Sequence, residues 1–170
     1  MRTERRRFMQ TAALAVMPVL IGAGVWLTGS RSAQAAADPN ADVMELQGTQ
    51  VTGAGSIDPR IGNVPQLKKP PLSAYNTYKL IDKKSQPAKK GVASSYTLAN
   101  GRVLQVTVVE TTSENRYRVL TTISEANASV YLKKLEVIAG PNEPFFVGGQ
   151  YIDTKNPDKG GLVLGITIRP

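Results

Sequence analysis

Lys83-Lys84 and Lys89-Lys90, with Lys79 nearby, form the most basic run in this sequence. Cations at that density suit a phosphate-rich or acidic partner, such as lipid head groups or an anionic polysaccharide. The plainer reading is a solvated loop, and it is preferred because exposed charges of this kind contribute little on their own. Nucleic acid is not expected, since no aromatic residues interleave with these lysines to stack on bases. Asp153, Asn156 and Asp158 offer oxygen ligands of the sort calcium takes. The spacing D-T-K-N-P-D lacks the alternating acidic pattern of a calcium loop, and Lys155 and Lys159 dilute the field, so a turn is the better reading. Glu110, Glu114, Glu125 and Glu136 are the acids of the chain's middle. A catalytic pair would need two of them to converge in a cleft, one with a raised pKa. Phe145, Phe146 and Tyr151, beside Gly148-Gly149, give the best candidate contact site. Adjacent Phe residues on a strand point to opposite faces, which puts one in the core and leaves the other for the core or a partner.

What the sequence lacks narrows the chemistry further. It contains no Cys and no His. Thiol nucleophiles, disulfides and Ser-His-Asp or Cys-His triads are therefore excluded, together with the commonest zinc, iron and haem ligands. Carboxylate, Lys or Tyr chemistry remains open. No cofactor or metal is expected, and the chain reads as a binding protein more than as an enzyme. The formal charge of +8 is unevenly spread: Arg2, Arg5, Arg6, Arg7 and Arg31, offset by Glu4, put half of it before Ala36. The remainder is too modest to mark a nucleic-acid surface.

The N-terminus has its own logic. Met1 to Arg7 is basic, Thr11 to Leu27 is apolar apart from its first residue and its Gly and Pro, and Ser30 to Ala37 is small and polar. Ala33-Gln34-Ala35 forms an A-x-A site with Ala36 next. This is the three-part plan of a secretory signal peptide. Arg5-Arg6-Arg7-Phe8-Met9-Gln10 also resembles the twin-arginine signal R-R-x-F-L-K. Arg5, Arg6 and Phe8 carry the match; Glu4 and Gln10 depart from it. The resemblance implies export from a bacterial cytoplasm through the export machinery and cleavage between Ala35 and Ala36. It places the protein in the periplasm or outside the cell. The alternative is an uncleaved inner-membrane anchor, for which the apolar run is short, since a span needs ~20 apolar residues.

Behind the leader (1–35) the segment 36–71 carries Gly, Pro, Asn, Gln and Thr with few aliphatics, and is expected to be a flexible, disordered linker. Its candidate anchors, should it order on a partner, are Ile57, Ile61, Val64 and Leu67. From residue 72 to 170 the pattern is β. Leu104, Val106 and Val108 alternate with polar residues, as do Tyr117, Val119 and Ile123. With β-branched and aromatic residues at period two, the stretch 101–124 predicts a long central hairpin. Tyr75–Ile81 and Ala93–Leu98 are expected strands, with 82–91 a polar loop and Asn100-Gly101 a turn. Val130–Ile138 changes parity at Lys133-Lys134, which predicts a bulge. Gly140-Pro141-Asn142 is a turn, and Pro144–Val147 an edge strand broken by Gly148-Gly149. Leu162, Leu164, Ile166 and Ile168 form the cleanest apolar face and should pack against the central hairpin. The stretch from Pro144 to Arg169 is similar to the terminal strand pair of secretin-type outer-membrane proteins, but such pairs are common in all-β folds and no function is carried over.

The sequence thus predicts a signal helix, a disordered linker and one all-β domain, a small sandwich or barrel of about seven antiparallel strands. Its expected work is protein binding in the cell envelope. The rival readings are a carboxylate-dependent enzyme acting on glycans and a membrane-anchored structural subunit of an envelope or secretion assembly.

Overall fold

Strand β1 (Asn40–Thr49) forms inside the stretch expected to be a linker, and it is buried along most of its length. The computed structural model describes residues 38–125, 130–153 and 155–170. The signal helix, with Arg5, Arg6, Phe8, Ala33, Ala35 and Ala36, lies outside the described residues. Ala36–Pro170 is one compact unit, so the domain begins well before residue 72. The physical reason is visible in β1 itself. Ala41 and Val43 face one hydrophobic cluster, while Met44 and Leu46 face another. A strand buried on both faces shows no polar alternation.

The other strands are β2 (Thr77–Pro87), β3 (Ala93–Thr97), β4 (Val103–Thr111), β5 (Tyr117–Ser124), β6 (Val130–Ala139), β7 (Phe145–Tyr151) and β8 (Gly161–Arg169). They form two four-stranded antiparallel sheets, in the orders β2-β1-β8-β7 and β3-β4-β5-β6. Helical structure among the described residues is confined to short 3₁₀ turns, and none is long and apolar enough to cross a membrane. The eighth strand is β1, and β2 runs six residues past its expected end, through Lys83 and Lys84 to Pro87. Its polar residues had suggested a loop, but β2 is an edge strand with much of its surface in water.

The central hairpin is β4-β5. Leu104, Val106, Val108, Val119 and Ile123 point from it into one cluster with Leu162, Leu164, Ile166 and Ile168 of β8. That cluster takes residues from both sheets. The bulge at Lys133-Lys134 is present: Thr121 pairs with Leu135 and Ile123 with Leu132, which leaves one extra residue on β6. A second bulge sits at Val109. It moves Glu110 opposite Arg118, where the two side chains pair at 3.1 Å. Were Val109 paired regularly with Arg118 instead, Glu110 would fall opposite Tyr117 and its carboxylate would turn toward the core. At Gly148-Gly149 the expected break is instead a bulge, since pairing with β8 resumes at Gln150.

One polar clamp crosses from sheet to sheet. Glu45 follows Ala41 and Val43 on the inward row of β1 and is 1% exposed. Its Oε1 accepts from Lys84 Nζ at 2.7 Å, and its Oε2 accepts the Ala99 N–H at 2.8 Å. Lys84 also donates to the Thr97 carbonyl at 2.6 Å and pairs with Asp82 at 3.1 Å. Beside it, Tyr96 of β3 donates its hydroxyl to the Ala41 carbonyl at 2.6 Å. Burial lowers the Lys84 pKa, but hydrogen bonds to Glu45 and Asp82 outweigh that effect and hold it above the ordinary 10.5. Burial, with the Asp42 charge nearby, pushes the Tyr96 phenol up to about 12. Burial likewise pushes Tyr78 to about 12, with Tyr75 adding to the shift.

Two outcomes follow from the clamp. Lys84→Met leaves Glu45 buried with one neutral donor and should cost about 2–4 kcal/mol in urea unfolding, below the full value for a buried pair because Lys84 is partly hydrated. Glu45→Leu combined with Lys84→Met should recover most of that loss; a double variant as unstable as the single one would show that the pair is not the cause. The second outcome concerns alkali. Groups whose pKa is raised by folding support the fold fully below their unfolded pKa, and that support disappears as pH rises through the folded value. Stability should therefore fall above pH ~10. In an absorbance titration Tyr78 and Tyr96 should ionise near 12.

Candidate functional site

The segment between β1 and β2 builds one wall of an apolar groove. Three 3₁₀ turns, Pro59–Ile61, Pro65–Lys68 and Leu72–Ala74, carry it across the outer face of the sheet β2-β1-β8-β7. Asp58 starts the first turn: its carboxylate accepts the Arg60 N–H at 3.0 Å and pairs with the Arg60 guanidinium at 2.6 Å. Those bonds hold Asp58 well below the usual carboxylate range. Ile61 and Leu67 are buried, and Ile57, Val64, Leu72 and Tyr75 pack beside them on Met44, Leu46, Tyr78 and Val163. The anchors Ile57, Ile61, Val64 and Leu67 thus dock on the chain's own sheet. Asn76 closes the segment by accepting the Val51 N–H at 2.9 Å and donating to the Val51 carbonyl at 2.8 Å. Tyr78 donates to the Leu72 carbonyl at 2.6 Å.

Glycines in the sheet make room for the aromatic rings. Gly48 and Gly161 pair across β1 and β8, and the Tyr75 ring lies over both; a Cβ on Gly48 would stand 2.6 Å from its Cδ2. Phe146 lies over its cross-strand partner Gly165, whose added Cβ would stand 2.9 Å from Cε1 of the ring. Between these two rings the groove opens, with a volume of about 510 Å³. Val163 and Gly148 line it from the sheet. Leu72 and Tyr75 line it from the arm, with Gln66, Lys69 and the Pro70-Pro71 pair also contributing. The surface is chiefly apolar with one cation, Lys69. Such a groove can bury an apolar side chain and orient an acidic neighbour. No carboxylate is among its lining residues.

The structure separates the residues proposed from sequence. Phe146 is in the groove. Phe145 points the other way, half-buried against the core between the sheets. Tyr151 is exposed at the far end of β7, outside the groove, and its carbonyl accepts from Asn100 Nδ2 at 3.3 Å. The basic run does not form one patch. Lys83 and Lys84 lie on opposite faces of β2, and Lys84 is held by Glu45. Lys89 and Lys90 are exposed in the turn beyond the strand's end. The Asp153 loop closes on itself: the carboxylate accepts from Lys159 Nζ at 2.8 Å, Asn156 Nδ2 at 2.8 Å and the Lys155 N–H at 2.9 Å. These bonds pull Asp153 well below the carboxylate range. Arginines hold three of the four middle acids, with Arg118 between Glu110 and Glu136 at 3.1 and 3.5 Å and Arg102 on Glu125 at 2.9 Å.

Sequence reasoning missed Leu72, Tyr75, Gly148, Val163 and Lys69 as site residues. The available signal was the spacing of the four aliphatic anchors between prolines, which marks an ordered arm once a sheet face is known to lie beneath it. No protein-family model, curated protein or solved structure matches this chain.

The arm should be separable from the core by mutation. Leu67 is 1% exposed, so Leu67→Ala should cost about 3 kcal/mol. It should also raise binding of the apolar dye ANS. An unchanged unfolding midpoint would mean that the arm does not contribute to folding.

Proposed function

We propose that this chain is an exported protein-binding module of the bacterial cell envelope, which recognises its partner through the groove at Phe146. The observation that carries the reading is the groove itself: an apolar, glycine-seated cleft with one cationic side chain at its wall. Concave apolar surfaces with a few polar groups are the usual form of a binding site. The β-sandwich reading belongs with it, supported by the single hydrophobic cluster to which both sheets contribute. Export rests on the leader: the basic start, the apolar run, Arg5-Arg6 with Phe8, and Ala33-Gln34-Ala35 before Ala36. On this reading the domain needs no cofactor and meets the membrane only if the leader stays attached.

Two measurements test the two halves. Mass spectrometry of the exported protein should find Ala36 as its first residue, and Arg5→Lys with Arg6→Lys should leave the precursor in the cytosol. An intact leader on membrane-bound protein would favour the anchored subunit instead, and a wild-type chain that stays in the cytosol would end the export reading. For binding, a photo-cross-linking amino acid at Phe146 should trap an envelope protein in cells that the same label at Lys90 does not. Equal labelling from both positions would remove the groove from consideration.

A further inference from the structure

The four outer strands of the two sheets are protected unequally. The start of β2 is paired by the arm, with Tyr78 N–H donating to the Ser56 carbonyl and Asp58 N–H to the Tyr78 carbonyl, both at 2.8 Å. The rest of β2 carries Lys79, Asp82, Lys83 and Lys84. On β3 the Ser95 and Thr97 carbonyls are occupied by Gln86 and Lys84 side chains at 3.1 and 2.6 Å. Strand β6 has two register shifts and carries Lys133, Lys134 and Glu136. Strand β7 is different. Its sequence, FFVGGQY, has no charge, its one register shift lies at Gly148-Gly149, and among the described residues only β8 pairs with it. An apolar edge without charge is the kind onto which another strand adds.

That edge borders the groove. Phe146 and Gly148 belong to β7 and line it. An incoming strand would lie about 4.8 Å from β7 and set alternate side chains beside Phe146 and Gly148. Gly148 has no side chain to block a neighbour. The direction of its missing Cβ leads to Val163 and Leu72, whose nearest carbons would stand 3.7 and 3.9 Å from it. A large apolar side chain can therefore lean across Gly148 into the groove. Lys69 lines the same groove and Lys68 adjoins it; both are exposed, and among the described residues no ion pair is found for either. A second copy of this chain would bring its own lysine pair to the site, whereas an acidic segment would be attracted.

Building on the groove reading above, we infer that β7 accepts an extended segment of a different polypeptide by strand addition. The segment is apolar at alternate positions and carries Asp or Glu within reach of Lys69. Main-chain hydrogen bonds to β7 supply affinity, and the groove selects the side chain that crosses Gly148.

The test uses the full chain, labelled with ¹⁵N, and the synthetic peptide Ac-DEVTVSIT-NH₂. Amide shifts should concentrate in Phe145–Tyr151 and Gln66–Tyr75, and amides of β7 should gain protection from exchange. Ac-KKVTVSIT-NH₂ should bind about ten-fold more weakly at low salt. Gly148→Lys should abolish binding while leaving the thermal midpoint unchanged; Gly148→Ala, whose methyl meets only ordinary contacts, serves as the folding control. Shifts elsewhere, no shift at millimolar peptide, or wild-type affinity in Gly148→Lys would overturn the inference. So would peptide-free dimers that protect β7, which would make the occupant a second copy. If the peptides fail while the Phe146 label still traps an envelope protein, the groove stands and strand addition falls; if both fail, both readings fall together.

Discussion

A buried carboxylate on the central strand of one sheet must find its partners on other strands, and the domain is arranged around that constraint. Glu45 sits where an aliphatic residue would continue the inward row of β1. Its charge is balanced by Lys84, whose ammonium is shared with Asp82 and the Thr97 carbonyl, and its second oxygen takes the Ala99 N–H. Ala99 and Thr97 belong to the end of β3 and the turn after it, in the opposite sheet. Apolar contacts between sheets tolerate sliding; a carboxylate with two fixed donors does not. Such a pair adds little net stability over a well-packed apolar one, but it is costly to break. The clamp therefore fixes how β1 and β2 meet the β3-β4 turn, and Tyr96 to Ala41 repeats the tie a few residues away.

The two sheets then differ in what lies on their outer faces. On the sheet with β1 at its centre, the arm of 3₁₀ turns covers Met44, Leu46, Tyr78 and Val163. That coverage needs close approach, and Gly48, Gly161 and Gly165 provide it beneath Tyr75 and Phe146. On the other sheet the outer face carries Arg118 between Glu110 and Glu136, with Leu120 and Thr122 following it along β5, a surface partly open to water. The groove exists because the arm does not reach β7. It stops at Leu72–Tyr75, and Phe146 forms the opposite wall.

The strands that alternate cleanly were legible in the sequence: on β4 and β5 one face meets the core and the other is partly in water, and on β8 the large aliphatics share one parity although both faces are buried. Leu104 to Val108, Tyr117 to Ile123 and Leu162 to Ile168 all lie where their parity places them, and the parity change at Lys133-Lys134 marks a real bulge. Strand β1 was not legible, since Asp42 and Glu45 interrupt an apolar run whose compensating charges stand far along the chain, at Arg169 and Lys84. Lys83 and Lys84 looked like loop residues for the same reason: the acid that holds one of them lies 39 residues earlier. The Phe pair was legible as two faces of one strand, but not the groove beside it. No local pattern reveals that Gly148, Val163 and Leu72 will meet, because each belongs to a different element.

Long-range pairing also explains why the apolar arm did not read as structure. Ile57, Ile61, Val64 and Leu67 follow neither a period of two nor one of 3.6, because short 3₁₀ turns begun by Pro59 and Pro65 place them on the sheet one at a time. Each anchor is specified by the surface beneath it rather than by its neighbours. An arm of this kind has a consequence for the sheet edges. It pairs with the start of β2 and leaves the opposite edge untouched. The lysines of β2, the occupied carbonyls of β3 and the charges and bulges of β6 each discourage strand pairing by a separate physical means. Among the outer strands described, β7 combines a neutral sequence, a single pairing partner and an adjoining apolar cleft, so the two sheets present unequal edges.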